Sequence, residues 1–165
     1  LEKISIECDF FGINFYNRSL IKFNAASDFL YTSAYSDYPK TGMGWDISPV
    51  EFKDLIRRLR QEYTKLPIYI TENGAAFDDQ VSEDNSVHDP ERQNYIDQHI
   101  KAVAELNEED MNIAGYYQWS LLDNFEWTFG YEKRFGITYV DFETQERILK
   151  DSGYRYAEII KERSI

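Results

Sequence analysis

Hydrophobic positions repeat along this chain with two different periods, and the changes between them mark out the elements. From Asp9 to Tyr16 the residues alternate, so an extended segment is expected with Asn14 and Tyr16 on one face and Phe15 on the other. From Asn17 to Trp45 helical periodicity is absent and Ser, Asp, Tyr and Gly are frequent, which predicts a long loop ordered near its end by Met43-Gly44-Trp45. Phe52, Leu55, Ile56, Leu59 and Tyr63 then recur at helical spacing. Ser48 is placed to cap this helix, Pro49 suits its first position and Glu51 completes a capping box. Pro67 should end it near Lys65.

The next run, Ile68 to Thr71, is β-branched or aromatic throughout and reads as a short buried strand. It delivers Glu72 at its carboxyl end, ahead of Asn73-Gly74. Read locally, Glu72 is either a strand-capping carboxylate before an ordinary turn or a group placed for chemistry, since parallel α/β proteins put chemistry at the carboxyl ends of strands. A loop to His88 follows. Asp89-Pro90-Glu91 then repeats the cap-and-proline start, and Ile96, His99, Ile100 and Val103 form a helical stripe. His99 on that stripe is expected to be a hydrogen-bonded structural residue, not a ligand.

Asn107 to Asp110 reads as a solvated helix end and not as a metal site, and Ile113 to Trp119 as another strand. Two extended segments are expected between Phe135 and Leu149, around Glu143-Thr144-Gln145. A closing helix from Tyr154 to Arg163 should turn Tyr156, Ile159 and Ile160 inward. Strand, loop, helix, strand, loop, helix, strand is the rhythm of consecutive βα units: an α/β fold with a parallel sheet, taken as one domain over residues 1–165.

Composition narrows the function. The 165 residues carry a net charge of −12 with no basic run, which argues against nucleic acid and anionic membrane surfaces. No stretch reaches the roughly 18 apolar residues of a membrane span. The lone Cys8, expected as a small core hydrophobe, fits a reducing compartment, and with no signal peptide in view a cytoplasmic location is expected. Aromatics are dense at 13 Tyr, 11 Phe and 3 Trp, which suits either a large core or the flat faces of a sugar-binding cleft. Neither metal nor cofactor is expected.

Longer motifs go further. Ile70-Thr71-Glu72-Asn73-Gly74 resembles the nucleophile motif of the glycoside hydrolase family 1 β-glucosidases. The 22 residues from Gly115 to Gly136 (GYYQWSLLDNFEWTFGYEKRFG) resemble that family's sugar-binding segment, and Asp9 to Tyr16 is similar to its sixth-strand motif. Met43-Gly44-Trp45 and Lys150-Asp151-Ser152 extend the resemblance over essentially the whole chain.

The resemblance implies a (β/α)8 TIM barrel, of which this chain supplies roughly strands six to eight and the closing helix. It also implies a retaining mechanism with two carboxyls about 5–5.5 Å apart. By position Glu72 would be the nucleophile, held ionised by a hydrogen bond from Tyr16 and by nearby positive charge, with Asn14 on the same wall. Trp119, Glu126 and Trp127 would contact the sugar, Phe135 would lie near its hydroxymethyl, and Trp45 would be the platform for the leaving group. Each tryptophan could otherwise be core packing.

Departures from the family matter equally. The acid/base motif, Asn-Glu-Pro, is absent from these residues, as are the first-strand Gln and the His-Asn pair that hold the sugar. A barrel of this kind takes about 250 residues. The chain therefore reads as part of a retaining β-glycosidase whose proton donor lies outside it, with terminal unphosphorylated β-D-glucosides or oligosaccharides as substrate and the N-terminal half of the barrel as partner. Alternatives are a non-catalytic partial-barrel module that pairs its open edges, and a transglycosylating member of the family.

Overall fold

The computed structural model describes residues 6–163. Along it run β1 (Phe11–Asn14), a hairpin of β2 (Ile21–Phe23) and β3 (Tyr31–Ser33), α1 (Pro49–Glu62), β4 (Ile68–Asn73), α2 (Pro90–Glu108) and β5 (Ile113–Gln118). A 3-10 turn at Trp127–Phe129, then β6 (Thr138–Val140), β7 (Arg147–Leu149) and α3 (Asp151–Glu162) complete the order. β1, β4 and β5 form one parallel sheet with β4 in the middle. Its connections run through α1 and α2, the βα repetition of a (β/α)8 barrel.

The period-two pattern explains which face is covered. Ile13, Phe15, Ile68, Ile70 and Ile113 point to the helix side, where Phe52 and Ile56 of α1 and Ala102 and Leu106 of α2 complete the core. Each such side chain contributes about 1.5–3 kcal/mol when fully withdrawn from water. On the opposite face Gly12, Asn14 and Thr71 are exposed. A second, smaller cluster of Ile96, Ile137 and Ile159 fastens α3 to α2.

Several local expectations give way to stronger partners. Ser48 makes no capping hydrogen bond, and its hydroxyl is buried without a partner among the described residues. Glu51 has turned instead to Arg18 (2.6 Å) and the Tyr38 hydroxyl (2.9 Å), a charged pair outcompeting a capping box. Asp89 likewise does not cap α2; its carboxylate is taken by Arg92 and Ser152. The long loop contains the β2–β3 hairpin, which the sequence pattern had not suggested. Cys8 is exposed and not in the core; it lies on the segment ahead of β1, which no helix covers among the described residues. Ile160 is 60% exposed, since the stripe Ser152, Tyr156, Ile159 already occupies the inner side of α3.

His99 is fully buried, stacked on Tyr95 at 4.1 Å, with Nδ1–H donating to the Tyr95 carbonyl at 2.8 Å. Burial lowers its pKa to about 4, so the ring is neutral and structural. No helix among the described residues is long and apolar enough to cross a membrane.

The loops beyond the strands are joined by a buried set of charges. Arg92 of α2 meets Asp79 through both terminal nitrogens (2.9 and 2.6 Å), pairs with Asp89, and donates to the carbonyls of Ala75 (3.2 Å) and Arg134 (2.8 Å). Lys150 reaches Asp79 at 2.5 Å and Asp123 at 2.9 Å; Arg134 reaches Asp123 at 2.6 Å. Asp89 also accepts from the amide (2.8 Å) and hydroxyl (2.5 Å) of Ser152. Three cations thus face three carboxylates, and the desolvation of each is offset by more than one partner. Burial and the neighbouring Arg92 lower the Lys150 pKa, while Asp123 and Asp79 oppose them.

Breaking this set leaves an uncompensated buried charge. Lys150→Met should cost about 3–5 kcal/mol and lower Tm by roughly 10 °C. A Tm within about 1 °C of the parent would show that the buried lysine contributes little.

Candidate active site

Glu72 stands where the sheet ends. The β1–β4 register places it beside Asn14, and the Phe15 amide extends the pairing by donating to the Glu72 carbonyl at 2.9 Å. The chain then carries Tyr16 over the carboxylate, and its hydroxyl donates to Glu72 Oε2 at 2.6 Å. Burial, then the Glu72 carboxylate, raises the Tyr16 pKa, so the phenol remains a donor. The cation expected near Glu72 is not found: among the described residues none is within salt-bridge distance of it. Within this chain, the hydrogen bond that the Glu72 carboxylate receives comes from Tyr16.

The two residues after Glu72 do more than turn the chain. Asn73 is still in β4 and fully buried. Its amide donates to the Phe15 carbonyl (2.7 Å) and the Tyr95 hydroxyl (2.9 Å), and its oxygen accepts from the Tyr116 hydroxyl (2.7 Å). One side chain thus ties together β1, β4, α2 and β5 directly behind the carboxylate. Gly74 is required by contact: a Cβ there would lie 1.8 Å from the Trp119 carbonyl oxygen. That closeness lets the Trp119 amide donate to the Asn73 carbonyl at 2.8 Å.

Trp119 follows β5, and the peptide joining it to Ser120 is cis. Ser120 and Phe135 are linked through the Ser120 amide (3.1 Å), which fixes the buried Phe135 against this strand end. The rings of Tyr16, Trp45 and Phe135 lie 5.6 to 6.2 Å apart, centroid to centroid. The loop bearing Trp45 is sewn down by the Gly42 amide on the Ala76 carbonyl (2.7 Å) and by Lys133 on the Gly42 carbonyl (2.9 Å). Glu126 is half-buried, and burial followed by the charge of Glu72 raises its pKa. Trp127 is 83% exposed, with φ at 45°, an uncommon backbone for a bulky residue. A turn closed by the Glu126 amide on the Gly130 carbonyl (2.7 Å) holds it there.

All eight residues singled out from the sequence line one cleft of about 420 Å³: Asn14, Tyr16, Trp45, Glu72, Trp119, Glu126, Trp127 and Phe135. Asn14 accepts a hydrogen bond from Thr71 at 2.6 Å, which steadies it on the wall. Among the described residues no cluster of three or more His, Cys, Asp or Glu side chains could hold a metal ion. Two residues carry more than the sequence pattern marks. Asn73 reads locally as half of a turn, and Arg92 sits three, four and seven residues before Tyr95, Ile96 and His99. An arginine on a buried stripe was the available signal.

The family model described as Glycosyl hydrolase family 1 matches residues 1–165. The crystal structure of a β-glucosidase from Exiguobacterium antarcticum B7 superposes with a TM-score of 0.96 at 70% identity, covering 98% of this chain and 36% of that one. Beta-glucosidase A of Thermotoga maritima is 47% identical over 161 residues, 98% of this chain and 36% of that protein. A 6-phospho-beta-galactosidase of Staphylococcus aureus is 38% identical over 179 residues, 95% of this chain and 38% of that protein. The chain thus spans a little over a third of the length of its relatives. With parallel strands, cleft and sequence in agreement, it forms an arc of a (β/α)8 barrel and belongs to glycosyl hydrolase family 1.

Proposed function

We propose that this chain is the nucleophile-bearing part of a retaining β-glycosidase acting on terminal, unphosphorylated β-D-glucosides. The observation that carries the reading is the 2.6 Å bond from Tyr16 to Glu72 at the head of a cleft lined by three tryptophans and a second carboxylate. Glu72 attacks the anomeric carbon as the bond to the leaving oxygen breaks. That oxygen takes its proton from an acid supplied by the N-terminal part of the barrel, and water later releases the sugar from Glu72. Tyr16 steadies the carboxylate before attack. Trp119 and Trp127 offer indole faces to the apolar C–H patches of the sugar ring, Glu126 accepts from paired hydroxyls, and Trp45 carries the leaving group.

Two features support the N-terminal part as partner. The outer sides of β1 and β5 have no strand beside them among the described residues, and the sheet face bearing Asn14 and Thr71 is uncovered.

In the assembled enzyme Glu72→Ala should reduce hydrolysis of an aryl β-glucoside by at least about 10⁴-fold, with azide or formate restoring turnover as the inverted product. Turnover near that of the parent would remove Glu72 from this role.

The glycone preference follows from charge. Glu126 lies on the cleft wall close enough to Glu72 for the two to repel, and a phosphate brought beside them would add a third negative group. The enzyme should favour an aryl β-glucoside over its 6-phosphate by at least about tenfold in kcat/KM. A higher kcat/KM on the 6-phosphate would overturn that preference.

A further inference from the structure

Tyr95 of α2 is fully buried and lines no part of the cleft, yet its hydroxyl stands between Asn73, which follows the nucleophile, and Tyr16, which bonds to it. It accepts from the Asn73 amide at 2.9 Å and donates to the Tyr16 carbonyl at 3.3 Å. We propose that Tyr95 is a positioning residue, which holds the Tyr16 backbone where the phenol of that residue reaches Glu72. The inference rests on the glycosidase reading and assigns a residue of an outer helix to the support of the nucleophile.

Hydrogen-bond polarity fixes which way the contact runs. The Phe15 carbonyl can only accept, so the Asn73 side chain presents its nitrogen there, at 2.7 Å. Its oxygen is thereby turned to the Tyr116 hydroxyl, also at 2.7 Å. The second N–H of the same nitrogen serves Tyr95, whose oxygen accepts it and whose own proton is left for the Tyr16 carbonyl. Burial raises the Tyr95 pKa, with Asn73 opposing it, so the phenol keeps that proton.

Tyr16 needs such a tether. β1 ends at Asn14, and the Phe15 amide makes the last backbone bond to β4, at 2.9 Å to the Glu72 carbonyl. Among the described residues the Tyr16 backbone makes no hydrogen bond other than the one from Tyr95. Tyr95 itself is held firmly. Its ring stacks on His99 at 4.1 Å, its carbonyl accepts from His99 Nδ1 at 2.8 Å, and Arg92, one turn earlier, binds the Ala75 carbonyl at 3.2 Å. A helix docked to the loop after β4 thus sets the place of a phenol beyond the end of β1. The 2.6 Å bond which that phenol makes to Glu72 tolerates little drift.

The test is a double-mutant cycle on the assembled enzyme with an aryl β-glucoside, using Tyr95→Phe, Tyr16→Phe and the pair. Phenylalanine keeps the ring on His99 and removes only the hydroxyl. Tyr95→Phe should lower kcat about fivefold with KM within about twofold, the loss of roughly one hydrogen bond. Tyr16→Phe should lower kcat about tenfold or more. In that background Tyr95→Phe should cost less than about twofold, because the phenol it positions is gone. A purely structural tyrosine would lower Tm and leave kcat, measured well below Tm, unchanged. That result, or an equal loss in both backgrounds, would overturn the proposal. 4-Aminophenylalanine at position 95 retains a donor and should hold kcat within about twofold of the parent. A loss of about fivefold or more there would overturn the proposal even if Tyr95→Phe did not fold. Each of these results leaves the glycosidase reading standing, whereas an assembled parent inactive on the aryl glucoside would overturn both.

Discussion

Six clustered charges, five of them buried, decide where this chain's working loops lie. The fully buried Arg92 and Lys150 and the part-buried Arg134 meet the buried carboxylates of Asp79, Asp89 and Asp123. Each ion would be strongly unfavourable there alone, so every member constrains the others. The residues come from the loop after β4, the start of α2, the segment after β5 and the start of α3. Because these are the stretches that follow the strands, fixing them fixes the rim on which a barrel presents its chemistry.

Within that frame Glu72 is held from behind and from above. Asn73 satisfies its amide against three elements, and Gly74 lets the Trp119 carbonyl approach more closely than any side chain would permit. Tyr16 then closes over the carboxylate from the strand paired with it. The cleft is built from positions widely separated in sequence, yet its geometry needs only a three-stranded sheet and its loops. The sheet face bearing Asn14 and Thr71 is uncovered, and β1 and β5 have no outer neighbour among the described residues, which is where the proposed N-terminal strands would join.

Much of this was legible because it was local. The Ile68 to Glu72 run announced a buried strand ending in a carboxylate, and the 22 residues from Gly115 to Gly136 carried the sugar-facing residues in one stretch. What was not legible depended on distant partners. Nothing near Asn73 says that it will meet Tyr95 and Tyr116, and nothing near Asp89 says that Ser152, 63 residues later, will take its cap. Ser48 and Glu51 formed a sound capping box on paper and lost it to Arg18. The β2–β3 hairpin went unread because its residues lack a buried face, so no alternation marks them.

The central claim is that Glu72 is the nucleophile of a site completed by the rest of the barrel. Incubation of the assembled protein with an activated 2-deoxy-2-fluoro-glucoside, followed by intact mass and peptide mapping, addresses it directly. One fluoroglucosyl group should appear per assembly, on the peptide containing Glu72, and none on the 165-residue chain incubated alone. A label on a different carboxylate, or full labelling of the isolated chain at Glu72, would contradict the account.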